Sequence, residues 1–147
     1  MKPNEKTILG RREFIDFPDL GLTGIEAKID TGAYTSSIHC HDITIHSGAE
    51  SKLVAFKLLD PDHPAYEHRI LQLPLVKQKI VRSSSGDEEN RAIIRTTVRI
   101  GGHSFLTDLS LTDRSGMDYP VLLGRKAIRK RFIVDVAKVH IAGNDVV

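Results

Sequence analysis

Asp30-Thr31-Gly32 is the run in this 147-residue chain whose residue types and order most invite catalysis. The alternating segment Ile25-Glu26-Ala27-Lys28-Ile29 reads as a strand that delivers a carboxylate straight into a glycine turn. Gly32 can adopt backbone angles closed to other residues and leaves the neighbouring amides open to a reacting group. Thr31 is small enough to hydrogen-bond backbone locally. The chemistry that suits such a turn is water activation. Peptide hydrolysis by aspartates needs two carboxylates about 3 Å apart that share one proton, because both cannot ionise at that separation. No second Asp-Thr-Gly or Asp-Ser-Gly exists in the chain, and Asp113-Arg114-Ser115-Gly116 has the wrong spacing. A dyad therefore needs the same turn from a second copy, across a two-fold axis. The tripeptide also suits an ordinary turn between strands, since all three residues are common there.

A second stretch belongs with the first. Tyr119-Pro120-Val121-Leu122-Leu123-Gly124 is an apolar strand that ends in glycine about ninety residues later and runs into a helix-permissive segment, residues 125–131. Other reactive side chains are less organised. His39, Cys40, His41 and His46 offer soft metal ligands, and His39 and His41 share one face of a strand, but their spacing matches no standard site. No His-Glu-x-x-His signature and no glycine-rich phosphate loop ending in Lys-Ser or Lys-Thr is present, so neither a metal nor a nucleotide cofactor is expected. Cys40 has no positioned base beside it and reads as a small buried residue. Arg91, Arg95 and Arg99 alternate along one segment, and Arg125, Lys126, Arg129, Lys130 and Arg131 cluster near the expected helix. These runs suit a solvated face, or a cleft for acidic peptides in which arginine forks pair carboxylates.

The elements that must position these residues are short strands. Residues 7–29 carry apolar segments separated by Gly10, Pro18, Gly21 and Gly24. Residues 35–46 alternate and turn through Ser47-Gly48-Ala49-Glu50 into 53–59, which predicts a hairpin, and Asp60-Pro61-Asp62-His63-Pro64 must be a loop. Residues 70–82 and 91–100 predict a long hairpin around the polar tip at 83–90, the candidate flap. Gly101-Gly102-His103 turns the chain into the half-buried strand 104–111, and a last strand spans 132–136. The pattern is all-β with one short helix near the C-terminal end.

Length fits one domain over residues 1–147 with a real core. A net charge of +2 compels neither a nucleic-acid nor a membrane partner, and with 5% aromatic residues the chain has few rings for base stacking. One cysteine allows no intrachain disulfide, and Met1-Lys2-Pro3-Asn4-Glu5-Lys6 lacks the apolar core of a signal peptide, so a soluble, cytoplasmic protein is expected.

The combination Leu9-Gly10-Arg11-Arg12-Glu13, Phe17-Pro18-Asp19-Leu20-Gly21, Ala27-Lys28-Ile29-Asp30-Thr31-Gly32-Ala33, Leu111-Thr112-Asp113-Arg114 and Leu122-Leu123-Gly124-Arg125 resembles a bacterial retropepsin-like aspartic protease family over about residues 8–136. That family was earlier labelled ATP-dependent zinc proteases and often accompanies ATP-grasp ligases that attach glutamates. The resemblance implies a retropepsin-like closed barrel with a flap hairpin, working as a homodimer. Asp30 would be catalytic, Thr31 would bond across the two-fold axis, and Gly32 would lend backbone groups to the substrate. It also implies a glutamate-rich peptide or tail as substrate, with Ala33, Arg91, Arg95 and Arg125 at the binding surface. An accessory subunit that grips such a ligase without cutting anything is the alternative. The turn continues as Ala33-Tyr34-Thr35-Ser36-Ser37, without the acidic residue common in retropepsins, and the flap tip is polar and acidic, so specificity does not transfer.

Overall fold

The computed structural model describes residues 6–82, 86–113 and 118–143. Eleven strands run in chain order: β1 Thr7–Leu9, β2 Arg12–Phe17, β3 Leu22–Ile29, β4 Ser36–Ser47, β5 Lys52–Leu58, β6 Ile70–Pro74, β7 Lys77–Arg82, β8 Glu88–Ile100, β9 His103–Thr112, β10 Val121–Leu123 and β11 Phe132–Val134. One helical turn, α1 Arg125–Ile128, separates the last two.

Six strands close on themselves in the order β10-β3-β2-β8-β9-β4, with β4 returning to β10. Closure leaves this part of the sheet without open edges. Its interior is apolar: Ile15, Ile25, Ile38, Ile94, Val98, Leu109, Val121 and Leu123 are all buried. Along β8, Ala92, Ile94, Val98 and Ile100 turn inward while Arg95 and Arg99 are exposed, as a period-two strand with one wet face requires.

β5 and β6 extend the sheet outward from β4. β4 bends where the β4–β5 register shifts between His41 and Thr44, and Asp42 there takes φ 53, a left-handed conformation that aspartate tolerates better than most residues. The expected β4–β5 hairpin forms, with Gly48 N–H donating to Ser51 O. Gly101 and Gly102, at φ 56 and 80, make the tight β8–β9 turn.

Several expected boundaries move, and the last strand, expected over 132–136, ends at Val134. The segment 70–82 is two strands: Leu75 N–H still donates to Lys52 O on β5, whereas Val76 N–H donates to Ile93 O on β8. The chain thus changes partners just after Pro74, and the hairpin formed with β8 begins at Lys77. The expected helix 125–131 stops at Ile128, because Arg129 takes ψ 145 and Lys130 φ 71, bending the chain so that Phe132 enters the core and β11 pairs in parallel with β1. Residues 83–85 of the expected flap tip and 114–116 of the expected turn lie outside the described residues.

The chain's two ends are tied at Glu13. Its buried carboxylate accepts from the amides of Gly10 at 2.7 Å, Ile141 at 3.2 Å and Ala142 at 3.2 Å. A buried carboxylate needs such donors.

Candidate active site

Asp30 stands where β3 hands over to β4, and β10 is laid between those two strands. Val121, Leu122 and Leu123 pair in parallel with Ala27, Lys28 and Ile29, and Val121 and Leu122 pair antiparallel with Ile38 and Ser37. The apolar sequence of β10 suits a strand with partners on both sides. Asp30 N–H donates to Leu123 O at 2.9 Å, so the last bond of that parallel ladder holds the aspartate itself.

The turn is closed from within. Gly32 N–H donates to Asp30 Oδ1 at 2.9 Å, which fixes the carboxylate plane, and Ala33 N–H reaches Asp30 O at 3.3 Å. Asp30 Oδ2 has no hydrogen-bond partner among the described residues. Asp30 is half-buried, while Thr31 and Gly32 are exposed.

From below, the segment following β10 clasps the turn. Gly124 N–H donates to the buried Ser36 Oγ at 2.9 Å, Arg125 N–H to Ala33 O at 2.8 Å, and Lys126 N–H to Tyr34 O at 2.9 Å. The Arg125 side chain adds a bond from Nη1 to Thr31 O at 2.9 Å and lies over the Tyr34 ring, 5.8 Å from its centroid.

The chain belongs to the RimB-like family. A family model described as the retropepsin-like aspartic endopeptidase RimB matches residues 8–145, nearly the whole length. Curated relatives include proteins named probable alpha-L-glutamate ligase. The one from Shewanella halifaxensis is 35% identical over 149 residues, covering 97% of this chain and 32% of its own length. The one from Parasynechococcus marenigrum is 36% identical over 143 residues, covering 95% of this chain and 30% of its own. The chain thus spans about a third of the length of these relatives. A crystal structure of a Legionella pneumophila protein of unknown function shares the fold, with a TM-score of 0.76 at 24% identity over 95% of this chain and 100% of that one.

As a RimB-like chain, this one brings Asp30, Thr31, Gly32, Ala33 and Arg125 together and leaves Arg91 and Arg95 on β8 with other partners. Arg95 Nε pairs with Asp108 Oδ1 at 3.0 Å, and Lys126 Nζ reaches Asp108 Oδ2 at 2.6 Å. Burial alone would raise the Asp108 carboxyl; the hydrogen bonds and charges of Lys126 and Arg95 prevail and hold it below the usual range. Arg91 pairs with Glu89 at 3.3 Å.

The histidines are dispersed. His39 is buried rather than on an exposed face, His41 lies between Leu59 O and Tyr66 Oη, and His46 meets Gln72 at the surface. Among the described residues no three His, Cys, Asp or Glu side chains converge as a metal site. Cys40 is fully buried, which pushes its thiol up to about 12, far from a nucleophile's range. No helix among the described residues is long and apolar enough to cross a membrane.

A hollow of about 430 Å³ that no sequence motif marks opens at the end of β3, next to Asp30 in the chain, lined by Arg11, Arg12, Lys28, Ile29 and Tyr119. The only sequence signal for it was the alternation that puts Lys28 two residues before Asp30. Arg12 Nη1 donates to Tyr119 Oη at 3.2 Å, and its guanidinium lies over the Tyr119 ring at 5.9 Å.

Proposed function

We propose that two copies of this chain pair across a two-fold axis to form an aspartic peptidase, each contributing one Asp30. The observation that carries the reading is the bond from Asp30 N–H to Leu123 O together with the internal Gly32 clamp, which present a single rigid carboxylate on a turn with exposed Thr31 and Gly32. In the dimer, one Asp30 takes a proton from a bound water as the water attacks the scissile carbonyl. The other gives its proton to the carbonyl oxygen; as the C–N bond then breaks, the first Asp30 passes the water's proton to the departing amine and the second recovers a proton from the gem-diol hydroxyl. Thr31 bonds across the axis to the partner turn, and the β7–β8 hairpin serves as the flap that excludes water.

The substrate class we propose is an acidic, glutamate-rich peptide or tail. Relatives named as glutamate ligases contain this domain within a longer chain, which associates it with the product such a ligase makes. Arg125 at the turn is the first arginine we expect to meet a substrate carboxylate; Arg91 and Arg95 on β8 would have to exchange Glu89 and Asp108 for it. The same relatives favour a second reading, in which the domain is a non-catalytic subunit that grips a glutamate ligase and Asp30 only holds the turn. Cleavage of oligoglutamate and of mixed peptide pools by wild type and Asp30→Asn, from acidic to neutral pH, separates the two. The peptidase reading expects activity that Asp30→Asn abolishes; a chain that cuts nothing yet binds the ligase supports the second.

A further inference from the structure

We infer that the hollow formed by Arg11, Arg12, Lys28 and Tyr119 is a carboxylate-reading subsite that takes an acidic side chain of the peptide next to the bond being cut. What is cut rests on the peptidase reading; what is bound rests on the hollow alone.

Placement comes from strand register. Arg12 lies opposite Lys28 across β2–β3, and Leu122 of β10 flanks Lys28 on the other side. Ile29 N–H donates to Arg11 O at 2.9 Å, which sets the Arg11 backbone against the residue preceding Asp30. Lys28 and Asp30 are two residues apart along the chain and so turn toward the same side, with Cα atoms separated by about 6.6 Å. A bound peptide advances about 3.3 Å or slightly more per residue. A carbonyl at Asp30 therefore leaves a side chain one or two residues away within reach of this hollow.

Its lining is basic. Among the described residues the lining carries three cations and no carboxylate. Arg12 is ion-paired with Glu26 at 3.9 Å, and Glu26 also meets His140 Nε2 at 2.7 Å. Lys28 is exposed and has no carboxylate partner among the described residues. Tyr119 accepts from Arg12, which orients its hydroxyl, and the Tyr119 O–H remains a donor. Arg95 and Arg91, like Arg12 and unlike Lys28, are engaged by carboxylates, Asp108 and Glu89. A neutral side chain seated here would take water from the Lys28 ammonium without returning a charge, whereas a carboxylate satisfies it, with Arg11 and Arg12 adding positive potential beside their own bonds to Val136 O and Glu26. The site thus favours Glu over its isostere Gln.

The test uses two readouts on the whole chain. The first is binding of labelled pentaglutamate, with a free or an amidated C-terminus, to the Asp30→Asn protein and to the same protein carrying Lys28→Glu, Lys28→Gln or Arg11→Glu. The second is the ratio of kcat/KM for peptides that differ only by Glu or Gln beside the cleaved bond. Lys28→Glu should weaken binding of both tails and lower the Glu/Gln ratio by about tenfold or more, with Lys28→Gln between it and wild type. A loss confined to the free C-terminus would hand the hollow to the tail's terminal carboxylate and overturn the side-chain assignment. If wild type cleaves but the ratio and the binding ignore all three substitutions, the subsite is wrong and the peptidase stands. If nothing cleaves yet Lys28→Glu still weakens binding of both tails, the hollow stands and the peptidase reading fails.

Discussion

A Cβ built on Gly124 would lie 2.6 Å from the carbonyl oxygen of Tyr34 and 3.0 Å from that of Ala33. Gly124 has φ −93 and ψ 175, which any residue can adopt, so what demands glycine is the close approach of two backbones beneath the Asp30 turn. Gly124→Ala must push the turn off β10 or overpack it, at a cost of about 1–3 kcal/mol. Gly102→Ala is the control: φ is 80 and nothing lies within 4 Å, so only backbone strain of about 1–2 kcal/mol opposes it, far from the turn. Both variants should melt lower, but peptide cleavage should fall out of proportion only in Gly124→Ala.

Arg125 holds the turn through its Nη1 bond to Thr31 O and its place over the Tyr34 ring, besides being the first arginine expected to meet substrate. Arg125→Lys keeps the charge and loses the planar donor set. We expect Arg125→Ala to lower kcat/KM by roughly tenfold or more. If holding the turn is the larger role, Arg125→Lys should lose nearly as much in kcat; if carboxylate reading is, Lys should recover most of KM. Steady-state kinetics on one acidic and one neutral peptide distinguish the two.

Asp108 ties β9 to Arg95 on β8 and to Lys126 in α1. Its carboxyl is held below the ordinary 3.8 in the folded chain, so the contribution to stability is fully present above that value and is lost as pH falls through the lowered one. Asp108→Asn should therefore be less stable than wild type at neutral pH, with the difference narrowing below about pH 4. Urea denaturation across that range measures it.

Much of this was legible from local chemistry. Asp-Thr-Gly after an alternating strand, the Gly101-Gly102 turn and the apolar run before Gly124 each carry their reason within a few residues. The partner switch after Pro74 was not legible, because residues 70–82 keep a strand-like pattern whichever neighbour they pair with. Nor was the early end of α1, which depends on Phe132 reaching the core. Arg95 and Asp108 share a register position set by the β8–β9 turn, and alternation alone showed the arginine face without showing what neutralises it. The basic hollow draws on Arg11 and Arg12 at the start of β2, on the end of β3, and on Tyr119 two residues before β10, and only the pairing of β10 with β3 brings Tyr119, about ninety positions on, to the other two.

Cys40 should behave as an inert core residue. Its buried thiol, raised to about 12, should resist alkylation in the native chain and react once the barrel is unfolded, as intact-mass measurement with and without denaturant would show. Ready modification of the native chain would mean that the β4 interior opens.

The central claim is that one active site needs Asp30 from two chains, and subunit mixing tests it most directly. Wild type and Asp30→Asn are combined in equal amounts, allowed to exchange or refolded together, and assayed on an acidic peptide at fixed total protein. A shared dyad leaves only wild-type pairs active, so the rate should fall to about a quarter of the unmixed wild type. A rate of about one half, unchanged by exchange, would mean that each chain acts alone and would contradict the account.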